Sequence, residues 1–86
     1  MHVIVTHDVD DVEHWFNSPK RNEFFAKHGM TATAFRSPEG SGNSTAVLIE
    51  TPDMDTLHAA LQTEDAQQAQ AHDGVRVDTV QIFVAS

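Results

Sequence analysis

The most informative stretch of the sequence is Val3-Ile4-Val5-Thr6-His7-Asp8-Val9-Asp10-Asp11-Val12-Glu13-His14-Trp15-Phe16. Its beginning, residues 2–7, is rich in β-branched residues and contains no Gly or Pro, which predicts a first strand. Asp10 is a suitable N-cap for a following helix, and Glu13 stands three residues later in capping-box register. Trp15 and Phe16 then lie on one apolar helical face. We therefore expect a strand that turns into a helix and brings an imidazole, carboxylates and an indole close together.

The rest of the chain predicts further helices and strands, separated by Gly, Pro and capping residues. In chain order these are a helix from Pro19, capped by Ser18, to Gly29; strand two over 30–36; a hairpin loop over 37–44; strand three over 45–50; a helix begun by Thr51-Pro52-Asp53, with Thr51 or Asp53 as cap; a helical piece from Thr63 to Asp73-Gly74; and strand four over 75–84. The order is therefore β-α-β-β-α-β.

This order predicts one domain over residues 1–86, with an α+β, ferredoxin-like βαββαβ fold. Its four-stranded antiparallel sheet has the order 4-1-3-2, so strands one and three are central. The central strands are apolar on both faces, whereas the helices can cover only one. Packing of the other face against a second subunit predicts a homodimer. The alternative is a monomer with scattered apolar residues on its surface.

The composition excludes several classes of function. Five basic residues against thirteen acidic ones give a formal charge of −8, which argues against nucleic acid and anionic membranes as partners. No stretch approaches the roughly 20 apolar residues of a membrane span, and the N-terminus does not have the pattern of a signal peptide. The chain has no cysteine, so disulfides, thiolate metal sites and cysteine nucleophiles are absent. We expect a cytoplasmic protein.

These residues resemble the dimeric α+β barrel superfamily, and within it short bacterial proteins similar to antibiotic-biosynthesis monooxygenases and small cyclases. The resemblance rests on the strand that leads from His7 through Val9 and Asp10 to Trp15, on Thr51-Pro52-Asp53-Met54, and on Gly74-Val75. It implies a barrel formed by two sheets across a dimer, and a pocket between helices and sheet in each subunit. His7 and Trp15 match positions that line such a pocket. The haem-degrading branch fits poorly, because strand one offers no asparagine and Trp15 is on the wrong element.

His7 is the candidate catalytic residue, because imidazole titrates near neutral pH and can act as a general base. The alternative is a strand-end histidine bonded to a carbonyl or to water. His7, Asp10 and His14 also suggest metal ligands, but helix capping explains Asp10, and we predict no metal and no cofactor.

Trp15, Phe16, Phe35 and Arg36 are the candidate substrate-binding residues. The aromatic rings suit the wall of a pocket, although aromatic residues also build ordinary cores. Arg36 suits a carboxylate or phenolate, or else pairs with Glu50 across the hairpin.

The predicted function is a homodimer that binds a small apolar or aromatic molecule. A cofactor-independent monooxygenase, cyclase or isomerase acting on an aromatic or polyketide-like substrate is one reading. The other is a non-catalytic ligand-binding or regulatory module whose pocket is filled by its own side chains.

Overall fold

The computed structural model describes residues 1–39 and 42–85, and its elements follow the predicted order. Each helical connection is divided into two short helices. The elements are β1 (His2–Val9), α1 (Val12–Asn17), α2 (Lys20–Lys27), β2 (Thr31–Arg36), β3 (Ser44–Glu50), α3 (Met54–Leu61), α4 (Glu64–Asp73) and β4 (Val75–Val84). Within the described residues, no helix is both long and apolar enough to cross a membrane.

The four strands form one antiparallel sheet in the order β2-β3-β1-β4. This is the predicted order 4-1-3-2 counted from the opposite edge, so the predicted ferredoxin-like α+β fold is confirmed. The hairpin loop predicted over 37–44 joins β2 to β3, and Gly40 and Ser41 within it lie outside the described residues.

The core lies between the helices and one face of the sheet. On β1, Val3 and Val5 alternate with more exposed residues, as expected for a strand with one face covered. Trp15 from α1 and Leu57 from α3 are almost completely buried against this face. Complete burial of one such side chain contributes roughly 1.5–3 kcal/mol to folding. These contacts fix α1 and α3 relative to β1.

A bulge interrupts the pairing of β1 with β4 next to His7. Thr6 pairs with Gln81 and Asp8 pairs with Arg76, so residues 77–80 stand opposite His7 alone. The main-chain N–H of Asp8 instead bonds the side chain of Thr79 within the bulge, at 2.8 Å. Bulges bend the strand that contains them and redirect its side chains. His7 is therefore held by β3 on one side and faces an irregular strand on the other.

The N-cap of α1 is Asp11, so the prediction of Asp10 was wrong. The Asp11 side chain accepts a hydrogen bond from the His14 N–H at 3.2 Å. Asp10 instead bonds the main-chain oxygen of Gly74 through its N–H, at 3.0 Å, and Arg76 through its carboxylate, at 2.8 Å. Pairing with β4 extends β1 beyond the predicted end, and the helix therefore begins later.

The other predicted helix ends are close to those observed. Thr63 and Asp53 cap α4 and α3 through their side chains. The N-cap of α2 is Pro19 and not Ser18 as predicted, because the helix begins one residue later, although the Ser18 hydroxyl still accepts from the N–H of Lys20 at 3.2 Å. Gly74 and Gly29 follow α4 and α2 with φ of 72° and 76°, a conformation that favours glycine. The four helices are thus delimited mainly by local signals.

The sheet face turned away from the helices carries exposed apolar side chains. Ile4 is 45% exposed, and its antiparallel partners on the two neighbouring strands are Leu48 and Phe83. Phe83 is 53% exposed, and Phe35 on β2 is 49% exposed opposite Ala46. We call these five residues the outer face.

Candidate functional site

A cavity of about 90 Å³ lies between the sheet and the four helices, with α3 contributing only its last residue, Leu61. Its wall is mostly apolar, with polar side chains from both the sheet and the helices. The residues that line it are Val5, His7, Trp15, Arg21, Phe24, Phe25, Val47, Ile49, Leu61, Ala66, Ala69, Gln70, Asp73, Val75 and Val80. The structure thus brings together His7 and Trp15, which the sequence placed at a pocket.

The imidazole of His7 is held in one orientation by two neighbours. Its ring meets the indole of Trp15 edge to face, with 5.4 Å between ring centroids. The Thr45 hydroxyl donates to the His7 main-chain oxygen at 2.8 Å, and its oxygen lies 2.7 Å from His7 Nδ1. Because the hydroxyl has one proton, its oxygen accepts from an Nδ1–H. This tautomer leaves the lone pair of Nε2 available as a base or acceptor.

The surroundings of His7 favour its neutral form. Burial lowers the pKa of His7 from its ordinary value of 6.5, and the positive charge of Arg21 acts in the same direction. A hydrogen bond to the main chain and the charge of Asp8 oppose these effects without cancelling them. A neutral imidazole at neutral pH can accept a proton, as a general base must.

Arg21 on α2 also lines the cavity, and sequence reasoning missed it. Its two terminal nitrogens donate to the main-chain oxygens of Trp15 and Phe16 at 3.0 and 3.3 Å. The guanidinium carbon lies 4.6 Å from the centroid of the Trp15 ring. The residue is 9% exposed, yet its Nε is buried and meets no acceptor among residues 1–39 and 42–85. A buried donor of this kind favours a ligand oxygen.

Asp73, at the end of α4, is the second polar residue of the cavity that sequence reasoning missed. It is 3% exposed, and its carboxylate lies 2.8 Å from Nδ1 of His72. Burial lowers the pKa of Arg21, and the charge of Asp73 opposes that shift. The cavity wall therefore carries a cation and a carboxylate that form no direct ion pair.

Phe16, Phe35 and Arg36 lie elsewhere, around a surface depression that they share with Glu13. Arg36 forms an ion pair with Glu13, and its guanidinium lies 4.5 Å from the centroid of the Phe16 ring. The five predicted site residues thus divide between the cavity and this depression.

The predicted pairing of Arg36 with Glu50 was wrong. Antiparallel pairing places Arg36 opposite Thr45 and Thr31 opposite Glu50, so the two charged residues lie at different ends of the hairpin. Glu50 bonds His2 and Thr31 instead, each at 3.0 Å.

The possible metal ligands suggested by the sequence, His7, Asp10 and His14, do not form one cluster. Within the described part of the chain, the group whose donor atoms converge consists of His14, His72 and Asp73. His14 is the only residue that the two sets share.

The cavity volume limits what can bind without a change in the protein. Its volume of about 90 Å³ is smaller than the roughly 150 Å³ of an engineered cavity that binds benzene. Because the cavity is partly open, a single aromatic ring bound there either extends towards solvent or moves the lining helices outward, and a fused-ring ligand does so to a greater extent.

Two solved structures are similar to this chain over nearly its whole length. A crystal structure of an antibiotic biosynthesis monooxygenase has a TM-score of 0.60 and 20% identity, covering 99% of this chain and 97% of that one. An ethyl tert-butyl ether degradation (EthD) family protein from Bacillus halodurans has a TM-score of 0.52 and 18% identity, covering 100% and 99%. No protein-family model and no curated protein matches the chain. At these identities the likeness establishes the ferredoxin-like α+β fold that the sequence predicts.

Proposed function

We propose that this protein is a homodimer that binds a small, mostly apolar ligand with an ionisable oxygen in the cavity beside His7. The observation that supports this most strongly is the pairing of a neutral, oriented imidazole with the unsatisfied Nε of Arg21 in one apolar cavity. Phenols and enols carry both an acidic proton and an oxygen that becomes negative when the proton leaves. They are therefore the ligand class that suits both residues.

In the proposed chemistry, Nε2 of His7 takes a proton from the ligand, and the ring becomes an imidazolium. The Nε–H of Arg21 then donates to the oxygen on which negative charge develops, which is electrostatic stabilisation by a donor already in place. An enolate or phenolate formed in this way can react with O₂ or rearrange without a cofactor. This chemistry suits a cofactor-independent monooxygenase, cyclase or isomerase, and one structural neighbour is named as a monooxygenase.

Ionisation of a bound phenol tests the role of His7 directly. We expect 4-nitrophenol to be more ionised when bound than in free solution at the same pH, as measured by phenolate absorbance. His7→Gln should bind it but lose the extra ionisation, whereas the exposed control His58→Gln should behave like the wild type. An equal phenolate fraction in the wild type and His7→Gln would count against the proposed base.

The proposed dimer buries the outer face. Exposed apolar side chains of this extent favour association, and a second copy of the sheet offers a matching surface. We expect sedimentation to give a dimer for the wild type and a monomer for Phe83→Asp. Gln67→Asp on exposed α4 is the control and should remain dimeric. A monomeric wild type at micromolar concentration would contradict the proposal.

A non-catalytic binding or regulatory module is the second proposal, and the small volume of the cavity favours it. A ligand screen separates the catalytic from the non-catalytic proposal. Binding is measured by thermal unfolding and by Trp15 fluorescence, with a panel of phenols, naphthols, small polyketide-like compounds and haem. A saturable fluorescence change with a raised melting temperature supports a ligand site at Trp15. Absence of any response favours a module whose core is closed.

A further inference from the structure

A second cluster of polar side chains lies where the start of α1 meets the end of α4. His14 comes from α1, and His72 and Asp73 are the last two residues of α4. One donor atom from each of the three lies within 4.8 Å of the others. The two imidazole rings are 5.2 Å apart between centroids, although their residues are 58 positions apart in the chain. Folding therefore creates this cluster, which no local motif in the sequence encodes.

The existing contacts hold the three side chains close together, and the His72–Asp73 pair has nearly the spacing of two ligands of one ion. His72 Nδ1 lies 2.8 Å from Asp73 Oδ1. His14 Nε2 donates to the main-chain oxygen of His72 at 2.8 Å, because a carbonyl oxygen only accepts, so His14 binds an ion through Nδ1 or through Nε2 once that bond is broken. Two ligands at about 2.1 Å from a metal ion are about 3 Å apart in octahedral geometry and about 3.4 Å apart in the tetrahedral geometry typical of Zn²⁺, so the His72–Asp73 pair opens by a few tenths of an ångström to accept an ion. A cation can replace the bridging proton between His72 and Asp73 with little movement of either side chain.

The position is also electrostatically suited to a cation. The carboxylate of Asp73 is 4% exposed, whereas the side chain of His72 is 46% exposed, so an ion reaches a fixed ligand from solvent. The cluster stands at the C-terminus of α4, where free carbonyl groups give the helix its negative end. The positive charge of Arg21, which acts on Asp73, weakens the attraction of a cation to the cluster, whereas the net charge of −8 on the chain strengthens it.

We propose that His14, His72 and Asp73 form a binding site for a divalent transition metal ion such as Zn²⁺ or Co²⁺. Two imidazoles and one carboxylate are the donors that these ions favour, whereas Mg²⁺ and Ca²⁺ require mostly oxygen ligands. The remaining coordination positions are left to water. The bound ion links α1 to α4. The link lies next to the cavity, because Asp73 is part of both the metal site and the cavity wall.

The test uses the whole untagged protein after treatment with a chelator. We expect Co²⁺ to give a saturable visible absorbance at one ion per chain, and Zn²⁺ to displace it and raise the melting temperature. Mg²⁺ should do neither. Both His14→Ala and His72→Ala should weaken binding at least tenfold, whereas His58→Ala, an exposed histidine on α3, should bind like the wild type.

Circular dichroism of each variant shows whether the fold is retained, and His14→Gln serves as a second substitution if His14→Ala unfolds. Absence of a saturable Co²⁺ spectrum overturns the proposal. Equal binding by His14→Ala, His72→Ala and the wild type also overturns it, because binding would then come from scattered surface histidines.

Discussion

Ala66 on α4 is a position from which one substitution can fill the cavity. Its side chain lines the cavity and is 2% exposed, so a longer side chain there extends into the empty space rather than into solvent. Alanine and leucine both have high helix propensity, so Ala66→Leu leaves α4 intact. Ala71→Leu places the same change on the exposed side of α4 and is the matched control.

The cavity volume sets the size of the effect. A cost of about 24 cal/mol per Å³ of cavity, applied to about 90 Å³, gives an upper limit of about 2 kcal/mol. Strain from imperfect repacking reduces the gain, so we expect Ala66→Leu to stabilise the fold by about 1 kcal/mol. In a domain of this size that raises the melting temperature by about 4–8 °C.

Thermal and urea unfolding at one fixed protein concentration measure the stability, and Trp15 fluorescence measures ligand binding. We expect Ala66→Leu to be more stable than the wild type and to bind any ligand of the cavity at least tenfold more weakly. Ala71→Leu should change neither property. If Ala66→Leu is destabilised by more than about 1 kcal/mol relative to Ala71→Leu, the space is too small to fill and the reasoning is refuted. Unchanged ligand binding would place the binding site outside the cavity.

Three further predictions concern the surroundings of the cavity. The pKa of His7 is lower in the folded than in the unfolded state, so the unfolded state binds more protons below about pH 6.5. The contribution of His7 to the free energy of unfolding is therefore complete above that pH and is lost as pH falls, by up to about 1.4 kcal/mol per pH unit. Urea unfolding at several pH values should show a weaker pH dependence for His7→Gln than for the wild type. Thr45→Val removes the acceptor of His7 Nδ1–H and should lower the free energy of urea unfolding by about 1–3 kcal/mol. An unchanged free energy of unfolding would refute the hydrogen bond assigned between His7 and Thr45. Gly74→Ala and Gly29→Ala should each cost about 1–2 kcal/mol in urea unfolding because φ is positive at both positions, and a new Cβ at either position meets no contact closer than 3.4 Å.

The sequence predicts the strands and helices well because their signals are local. The β-branched run that forms β1 and the caps Asp53 and Thr63 act within a few residues. The choice between Asp10 and Asp11 as N-cap is different, because both side chains suit the position. It depends on how far β4 extends the pairing of β1, which is a contact with a distant part of the chain.

The candidate site is predicted only in part, for the same reason. His7 and Trp15 are brought to one cavity by the first strand and the first helix, as expected. Arg21 and Asp73 are buried because α2 and α4 pack over Trp15 and the sheet, and in the sequence they look like ordinary polar helix residues. Arg36 was assigned the wrong partner because an antiparallel hairpin pairs the end of one strand with the beginning of the next.

The bulge opposite His7 has a consequence for how such a protein can diverge. Regular pairing of β4 with β1 stops at Arg76 and resumes at Gln81, so residues 77–80 lie between two paired stretches. An insertion or deletion among these four residues leaves the strand pairing on both sides unchanged. Val80, within this segment, is part of the cavity wall. Changes in length at one loosely paired segment can therefore reshape the cavity while the sheet stays constant, which gives evolution or an engineer a route to new ligands on an unchanged scaffold.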